Sequence, residues 1–520
     1  MKESYWIKHT KCDKHYPKVE QDLYTNIAIV GAGLTGLTTA YYTSKATSEI
    51  MIFESDQIGY GASGRNTGKI TFQHGLLYHT LIEKYDRIFA KRYYKAQHDA
   101  MISIDAIIKE HHIDCEYQKS DAIVYTNDAA KVADIQDEYQ AYLDLDIPCE
   151  YVRCKDEPTY MEAGLLIKDQ AKFNPYAYCL GLSDILDEQQ IQIYEHSALR
   201  DMKQKDDGYE LSINGCIVHA NKVVFTCQFP FIDHMHLYFA RMRPIQESLC
   251  AAKITQKQSN LMIINAEKPM HSANIFEENI VMAGNQHKSD QGTSQQHEDF
   301  EKSLYALYPI HEISEEWSNE DYFTFDYLPL IGKLDKHNAD LLFASGYNAW
   351  GNTTSNMAAK ILSAYLLDQY SNYAMLTSPQ RTSFFSLPFL KENMNTAVHF
   401  IKSKLQKGEF DYPLKKEAKQ MEIDGHLYGV YRDEQDELFI VDITCPHMGC
   451  ICSFNHVDKT WDCPCHGSRF SYTGEVIKGP AGYHLHAIGD DLNTVDPHVT
   501  KNRNPSVGGS SAMRNKKIQI

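Results

Sequence analysis

A short apolar run, Asn26-Ile-Ala-Ile-Val30, passes directly into Gly31-Ala-Gly33-Leu34-Thr35-Gly36. A helix-compatible stretch, Leu37 to Lys45, follows, and then a second apolar run, Ile50 to Phe53. Strand, glycine turn, helix and strand in that order make a βαβ unit, which commits this part of the chain to a parallel sheet under helical cover. Gly31 allows the tight turn, Gly33 lets the backbone approach a pyrophosphate, and Gly36 lets the helix sit close on the strand. Leu34 and Thr35 stand at the opening of that helix, whose N-terminus offers donors and positive potential to the same pyrophosphate. Glu54 closes the second strand 18 residues after Gly36, where it would accept from a ribose hydroxyl. A carboxylate there disfavours a 2′-phosphate, so NADP is not expected, while FAD and NAD both fit.

A second feature lies far downstream. Five of the thirteen cysteines fall within 21 residues, and the other eight are scattered over the remaining 499, which is not the even spread of a disulfide framework. The cluster reads Cys445-Pro-His447-Met-Gly449-Cys450, then twelve residues, then Cys463-Pro-Cys465-His466-Gly467-Ser468. Two ligand pairs result, Cys445-x-His447 and Cys463-x-x-His466. A structural zinc site uses such pairs too, but it has no use for the two glycines and the serine. A Rieske [2Fe-2S] centre needs this supply, two thiolates on one iron and two imidazoles on the other. On these residues the segment resembles the Rieske family. That resemblance implies a Cys450–Cys465 disulfide joining the cluster loops, a hydrogen bond from Ser468 to a bridging sulfide, and a proline loop at Gly479-Pro480. The family's potential-raising tyrosine is Phe470 here, which implies a lower reduction potential. Cys452, His456, His484 and His486 carry no such pattern and read as surface or loop residues.

The run Gly59-Tyr-Gly61-Ala62-Ser63-Gly64-Arg65-Asn66-Thr67-Gly68 spells another GxGxxG, yet no strand precedes it. It resembles the Gly-Ala-Ser-Gly-Arg-Asn segment of the glycine/D-amino-acid oxidase family, which decides the cofactor in favour of FAD. Further matches are Ala198 after a short strand, Thr226 at the end of Val223-Val-Phe-Thr226, Gly332 in Asp326-Tyr-Leu-Pro-Leu-Ile-Gly332, and Gly346 to Gly351 with Asn352 and Thr353. Together they cover about 23–370. With the Rieske-like segment downstream, the order also resembles a group of bacterial fusion oxidoreductases that often show a His-x-Pro element just after the Val-Val strand; here it reads Gln228-Phe229-Pro230, so no role for that histidine carries over. The resemblance implies an α/β Rossmann-like FAD-binding domain with an α+β substrate domain, followed by a small all-β Rieske domain.

The chain divides accordingly. Residues 1–25 read as an irregular N-terminal extension with Trp6, Tyr16 and Pro17 as anchors. Residues 26–375 form the FAD-dependent oxidoreductase, with FAD-binding parts at about 26–75, 170–230 and 321–375 and substrate parts at about 76–169 and 231–320. A linker with one helical segment (391–406) spans 376–411, the Rieske domain 412–498, and a disordered tail 499–520. Helical spacing marks 76–111, and Asn214-Gly215 is a hairpin signal between strands.

Lys and Arg number 51 against 69 Asp and Glu, a net charge of −18, so the summed field repels nucleic acid and anionic headgroups. No apolar run reaches the ~20 residues that a bilayer needs, and a cytoplasmic protein is expected. A flavin takes two electrons as a hydride, whereas a Rieske cluster takes one at a time. The expected function is oxidation of a small amine or amino acid by FAD, with electrons leaving singly through the cluster to an acceptor protein or quinone. The alternative is a flavin/Rieske redox sensor or electron-transfer partner without small-molecule turnover. No catalytic dyad stands out; His74, Tyr347 and Trp350 are the candidates nearest the flavin segments. Arg241 and Arg243 are candidates for a substrate carboxylate, against the plainer reading of a solvated edge.

Overall fold

The computed structural model describes residues 2–154, 161–229, 238–255, 260–288, 294–383, 412–423, 426–456, 458–479 and 481–487. Pro230, Pro480, the expected linker helix at 391–406 and the tail at 499–520 lie outside them.

The first sheet grows from the Leu23–Val30 strand. Ile50–Phe53 and Cys216–Phe225 pair with it in parallel on either side, and Gln192–Tyr194 and Asn338–Ser345 extend the parallel set. Leu330–Asp335 closes one edge antiparallel. These strands are apolar runs because helices cover them, and Ile27, Ile29, Ile52 and Val224 are buried. The helices Leu34–Ser44 and Gly351–Leu366 pack on this sheet through Leu37, Ala40, Met357 and Ile361. Asn214 and Gly215 both take positive φ, 52° and 82°, as a two-residue hairpin turn requires. The strand leaving that turn is one ten-residue element, Cys216–Phe225.

A second, nine-stranded sheet carries the long antiparallel pair Met242–Ile254 and Ile310–Thr324. Between the strands of this sheet lies a helix, Ser294–Leu307. The helical pattern at 76–111 resolves into Leu77–Lys84 and Arg87–Glu110, and the Asp86 carboxylate caps the second by accepting from the Phe89 N–H at 2.7 Å.

The N-terminal extension is more ordered than its sequence suggested. Tyr5–His9 is a helix capped by Ser4, and the first strand starts at Leu23 rather than Asn26. Five residues are too few to show a helical period; what holds them is the fully buried Trp6, whose Nε1–H donates to the Asn66 carbonyl at 2.6 Å. Tyr16 and Pro17 anchor as expected, on the carboxylate and N–H of Glu195.

The C-terminal region is two small antiparallel sheets. One comprises Ala418–Ile423, His426–Arg432 and Leu438–Asp442; the other comprises Ser453–Asn455, Thr460–Asp462, Arg469–Ser471 and Val476–Lys478. They enclose Val441, Ile443, Trp461 and Phe470. No described helix is long and apolar enough to cross a membrane.

Candidate active site and cluster centre

A cavity of about 680 Å³ runs along the C-terminal ends of the parallel strands, the position where open α/β sheets bind ligands. Gly31, Gly33, Leu34, Thr35, Glu54, Gly61, Ala62, Ser63, Asn66 and Thr67 line it, as do Ala198, Thr226, Gly346, Gly351, Asn352 and Thr353. The turn fits a dinucleotide. Gly31 has φ +110°, and a Cβ on Gly33 would fall 2.7 Å from Ser63 Oγ. The helix that starts at Leu34 has no side-chain cap, so its first N–H groups face the cleft apart from that of Leu34, which donates to Ser63 Oγ at 2.9 Å. Burial pushes the Glu54 carboxyl up, while N–H groups of Ala32 (2.7 Å) and Asp56 (3.0 Å) donate to it and pull it back.

Three expected cofactor residues do not line the cleft. Gly36 packs the helix on the turn, where a Cβ would lie 1.9 Å from the Gly31 carbonyl, and Gly332 packs against Tyr365 and Pro379. Arg65 points the other way: its Nε–H donates to the Ser318 carbonyl at 3.0 Å, and its guanidinium lies 3.9 Å from Asp458 of the C-terminal region.

His74, Tyr347 and Trp350 do line the cleft. His74 stacks on Trp350 with centroids 4.7 Å apart, and its two nitrogens face Tyr93 OH (3.0 Å) and the Thr71 carbonyl (3.1 Å). Burial holds it down to about 3, so it is neutral and fully engaged. Tyr347 OH meets Thr35 Oγ1 at 2.9 Å. These three brace the start of the Gly351–Leu366 helix, which has no side-chain cap and presents its N-terminal N–H groups to the cleft.

Arg241 and Arg243 lie elsewhere: Arg241 donates to the Pro379 carbonyl at 2.9 Å, and Arg243 lies against Phe325. Among the cations that line the cleft is Lys69, one residue past the glycine loop. Its Nζ donates to the Ile263 carbonyl (2.6 Å) and Ser272 Oγ (2.5 Å), leaving one of three N–H donors. Burial pushes it down to about 7, with the Glu247 charge pulling the other way. Glu247 also lines the cleft, accepting two long bonds from Asn319 (3.5 Å) and Gln286 (3.3 Å), and burial raises its carboxyl. Lys69 was signalled by its place beside Gly68; Glu247 had no sequence signal.

In the C-terminal region the Sγ atoms of Cys445, Cys452 and Cys463 lie within 4.8 Å of one another, and the rings of His447 and His466 sit 5.0 Å apart. Two thiols beside two imidazoles suit a diiron pair of mixed ligation. Gly449 and Gly467, at φ +79° and +76°, close the two loops by donating to the Cys445 and Cys463 carbonyls at 2.8 and 3.1 Å. Cys450 and Cys465 form a disulfide, and Ser468 Oγ accepts from the Ala481 N–H at 3.0 Å. Cys452 is not a surface residue. Its N–H donates to the Ile443 carbonyl at 2.9 Å, and its fully buried thiol lies beside those of Cys445 and Cys463. His484 and His486 are exposed and His456 is half-buried against Phe454.

The two sites share a wall. Along Ile310–Thr324 the side chains of Asn319, Asp321 and Phe323 line the cleft, while Ser318, Glu320 and Tyr322 face the C-terminal region, the alternation a strand imposes. On the paired strand Glu247 faces the cleft, and Gln246 donates to Asp462 at 2.6 Å on the other side. Arg469 is fully buried between Asp458 (2.8 Å) and Asp462 (3.1 Å), Lys478 pairs with Glu320 at 2.7 Å, and Tyr322 OH donates to the His466 carbonyl at 3.0 Å. Val476, Ile477, Lys478, Gly479, Ala481 and Gly482 form part of the cleft lining.

Comparison with known proteins gives concordant results. The family of FAD dependent oxidoreductases matches residues 26–365, and the Rieske [2Fe-2S] domain family matches residues 405–488. The putative Rieske 2Fe-2S iron-sulfur protein YhfW of Bacillus subtilis (strain 168) is 32% identical over 491 residues, covering 92% of this chain and 96% of its own length. Glycine oxidase from Geobacillus kaustophilus superposes with a TM-score of 0.59 at 15% identity, over 69% of this chain and 99% of the other. L-proline dehydrogenase from P. horikoshii gives 0.59 at 14% identity, over 69% and 98%.

Proposed function

The chain belongs to the FAD-dependent oxidoreductase family and ends in a Rieske [2Fe-2S] domain, and on that premise we propose that it oxidises a small amine or amino acid and passes the electrons singly to an external carrier. The observation that carries this reading is the single cavity lined by both glycine segments and the Rieske loop, with Lys69 and Glu247 also in its lining.

Gly31, Gly33, Ser63 and Thr226 would hold the dinucleotide, and Cys445, His447, Cys463 and His466 would hold the cluster. FAD, when bound, accepts hydride from a C–H bond next to nitrogen. Hydride leaves more readily from a neutral amine, and Glu247, a carboxylate whose proton affinity burial raises, takes the ammonium proton at its Oε atoms. The spare donor of Lys69 pairs a carboxylate on the same substrate. N–H groups of Gly351, Asn352 and Thr353, at the uncapped start of their helix, would stabilise negative charge on a flavin held in the cleft. The neutral His74 holds Trp350 and Thr353 in place and moves no proton. The carrier is a one-electron acceptor protein or a quinone. Unpaired buried thiols such as Cys115, Cys179 and Cys250 suit a reducing compartment, and we place the chain in the cytoplasm.

Anaerobic stopped-flow mixing with a panel of amines and amino acids tests this. The expected result is flavin bleaching by a small amine or amino acid, followed by the Rieske EPR signal. A flavin that no member of the panel reduces would overturn the substrate class.

A further inference from the structure

Beside the Rieske loop that lines the cleft, one pair of strands separates the two redox sites, and it carries a continuous bonded route from one side to the other. On the cleft side the Asp321 carboxylate accepts from the Ala349 N–H at 2.6 Å, in the loop just ahead of the Gly351–Leu366 helix. Asp321 is joined covalently to Tyr322, whose side chain leaves from the opposite face because successive residues of a strand do. Tyr322 is fully buried, and its hydroxyl donates to the carbonyl of His466 at 3.0 Å. The contact is close enough that a Cβ on Gly467 would lie 2.8 Å from the Tyr322 oxygen and 2.8 Å from Pro244 Cβ. His466 is itself buried, whereas His447 is half-exposed beside the exposed Met448. The backbone of the buried His466 is thus the part of the cluster loops that Tyr322 touches, while His447 lies nearer the solvent.

We propose that Tyr322 is the port by which electrons cross from the flavin cleft to the cluster, entering at His466 and leaving at the His447 side. The inference rests on the oxidoreductase reading above. Each crossing takes one electron from reduced FAD and converts one ferric iron of the cluster to ferrous. The proton that reduced FAD gives up leaves into the cleft, and a one-electron carrier reoxidises the cluster before the second crossing. Tyr322 acts as a positioning and bridging residue; its hydroxyl replaces a gap between chains with a hydrogen bond.

The test uses the full chain loaded with FAD and cluster, under argon, with the flavin reduced by a laser flash through 5-deazariboflavin and a sacrificial donor. Cluster reduction is followed by its absorbance and EPR signal. In Tyr322→Phe, which keeps the ring and removes only the hydroxyl, the crossing slows severalfold, while FAD content, cluster EPR line shape and cluster potential stay at wild-type values. Asn455→Ala removes an interdomain hydrogen bond of 2.9 Å to Gln246, elsewhere on the same wall, and leaves the rate unchanged. A wild-type rate in Tyr322→Phe, or equal slowing in Asn455→Ala, overturns the port. If instead the wild-type flavin never reduces the cluster, the electron-converter reading fails first, and the two failures are told apart.

Discussion

Lys69 and Glu247 show how a residue acquires its chemistry from burial. Lysine titrates near 10.5 in water, and its value of about 7 in the fold means that the unfolded chain binds the extra proton between those limits. Its burial therefore costs stability below about 7, and that cost relaxes as pH rises toward 10.5. For binding the sign is opposite. A carboxylate probe such as benzoate, read by perturbation of the flavin spectrum, should bind best below pH 7 and lose about tenfold in affinity per pH unit above it. In Lys69→Met that dependence should vanish; a slope that persists would place the anion elsewhere. Phe470 offers a second check, since it is buried on the strand next to Ser468. Phe470→Tyr should raise the cluster's midpoint potential in an EPR-monitored redox titration, and an unchanged potential would deny the hydroxyl's reach to the cluster. The cluster loops and glycine turns were legible in sequence because their chemistry demands fixed residue types at fixed spacing. Glu247 was not, because an acid inside a strand carries no local signature, and Arg65 misled because its motif neighbours face the cleft while its own side chain turns away.

At the scale of elements, the Tyr5–His9 helix does more than its length suggests. Ser4 Oγ donates to the Gly64 carbonyl and Trp6 Nε1 to that of Asn66, so the helix clamps the glycine loop from behind. Trp6→Ala should lower stability by about 3–5 kcal/mol in denaturant unfolding. It should also let FAD dissociate faster, as followed by flavin fluorescence; retention at the wild-type rate would separate the clamp from the cofactor. The sequence showed Trp6 as an anchor without showing the helix, since one turn has no periodicity to read. The opposite holds for Arg87–Glu110, where apolar residues every three to four positions make the helix plain.

For the whole molecule, the join between the two regions is built from buried charges that cancel: Arg65 and Arg469 against Asp458 and Asp462, and Lys478 against Glu320. Removing one partner strands the others, so Arg469→Ala should cost about 3–5 kcal/mol and split thermal unfolding into two transitions. A single transition at the wild-type temperature would mean that the regions are not coupled through this residue. Nothing in sequence announced this join. The stretch Ser314-Glu-Glu-Trp-Ser-Asn-Glu-Asp-Tyr322 has polar residues at both alternations, which suits an exposed strand; in the fold Asn319 and Asp321 are polar because they line the cleft, and Ser318 and Glu320 because Asp458 and Lys478 bond them.

The Rieske loop that lines the dinucleotide cleft makes any tenant of that cleft a contact of both regions at once. Such a tenant should hold the two folds together, so apoprotein from riboflavin-starved cells should melt at a lower temperature than the flavin-loaded chain. An unchanged melting temperature would mean that the loop does not feel the tenant.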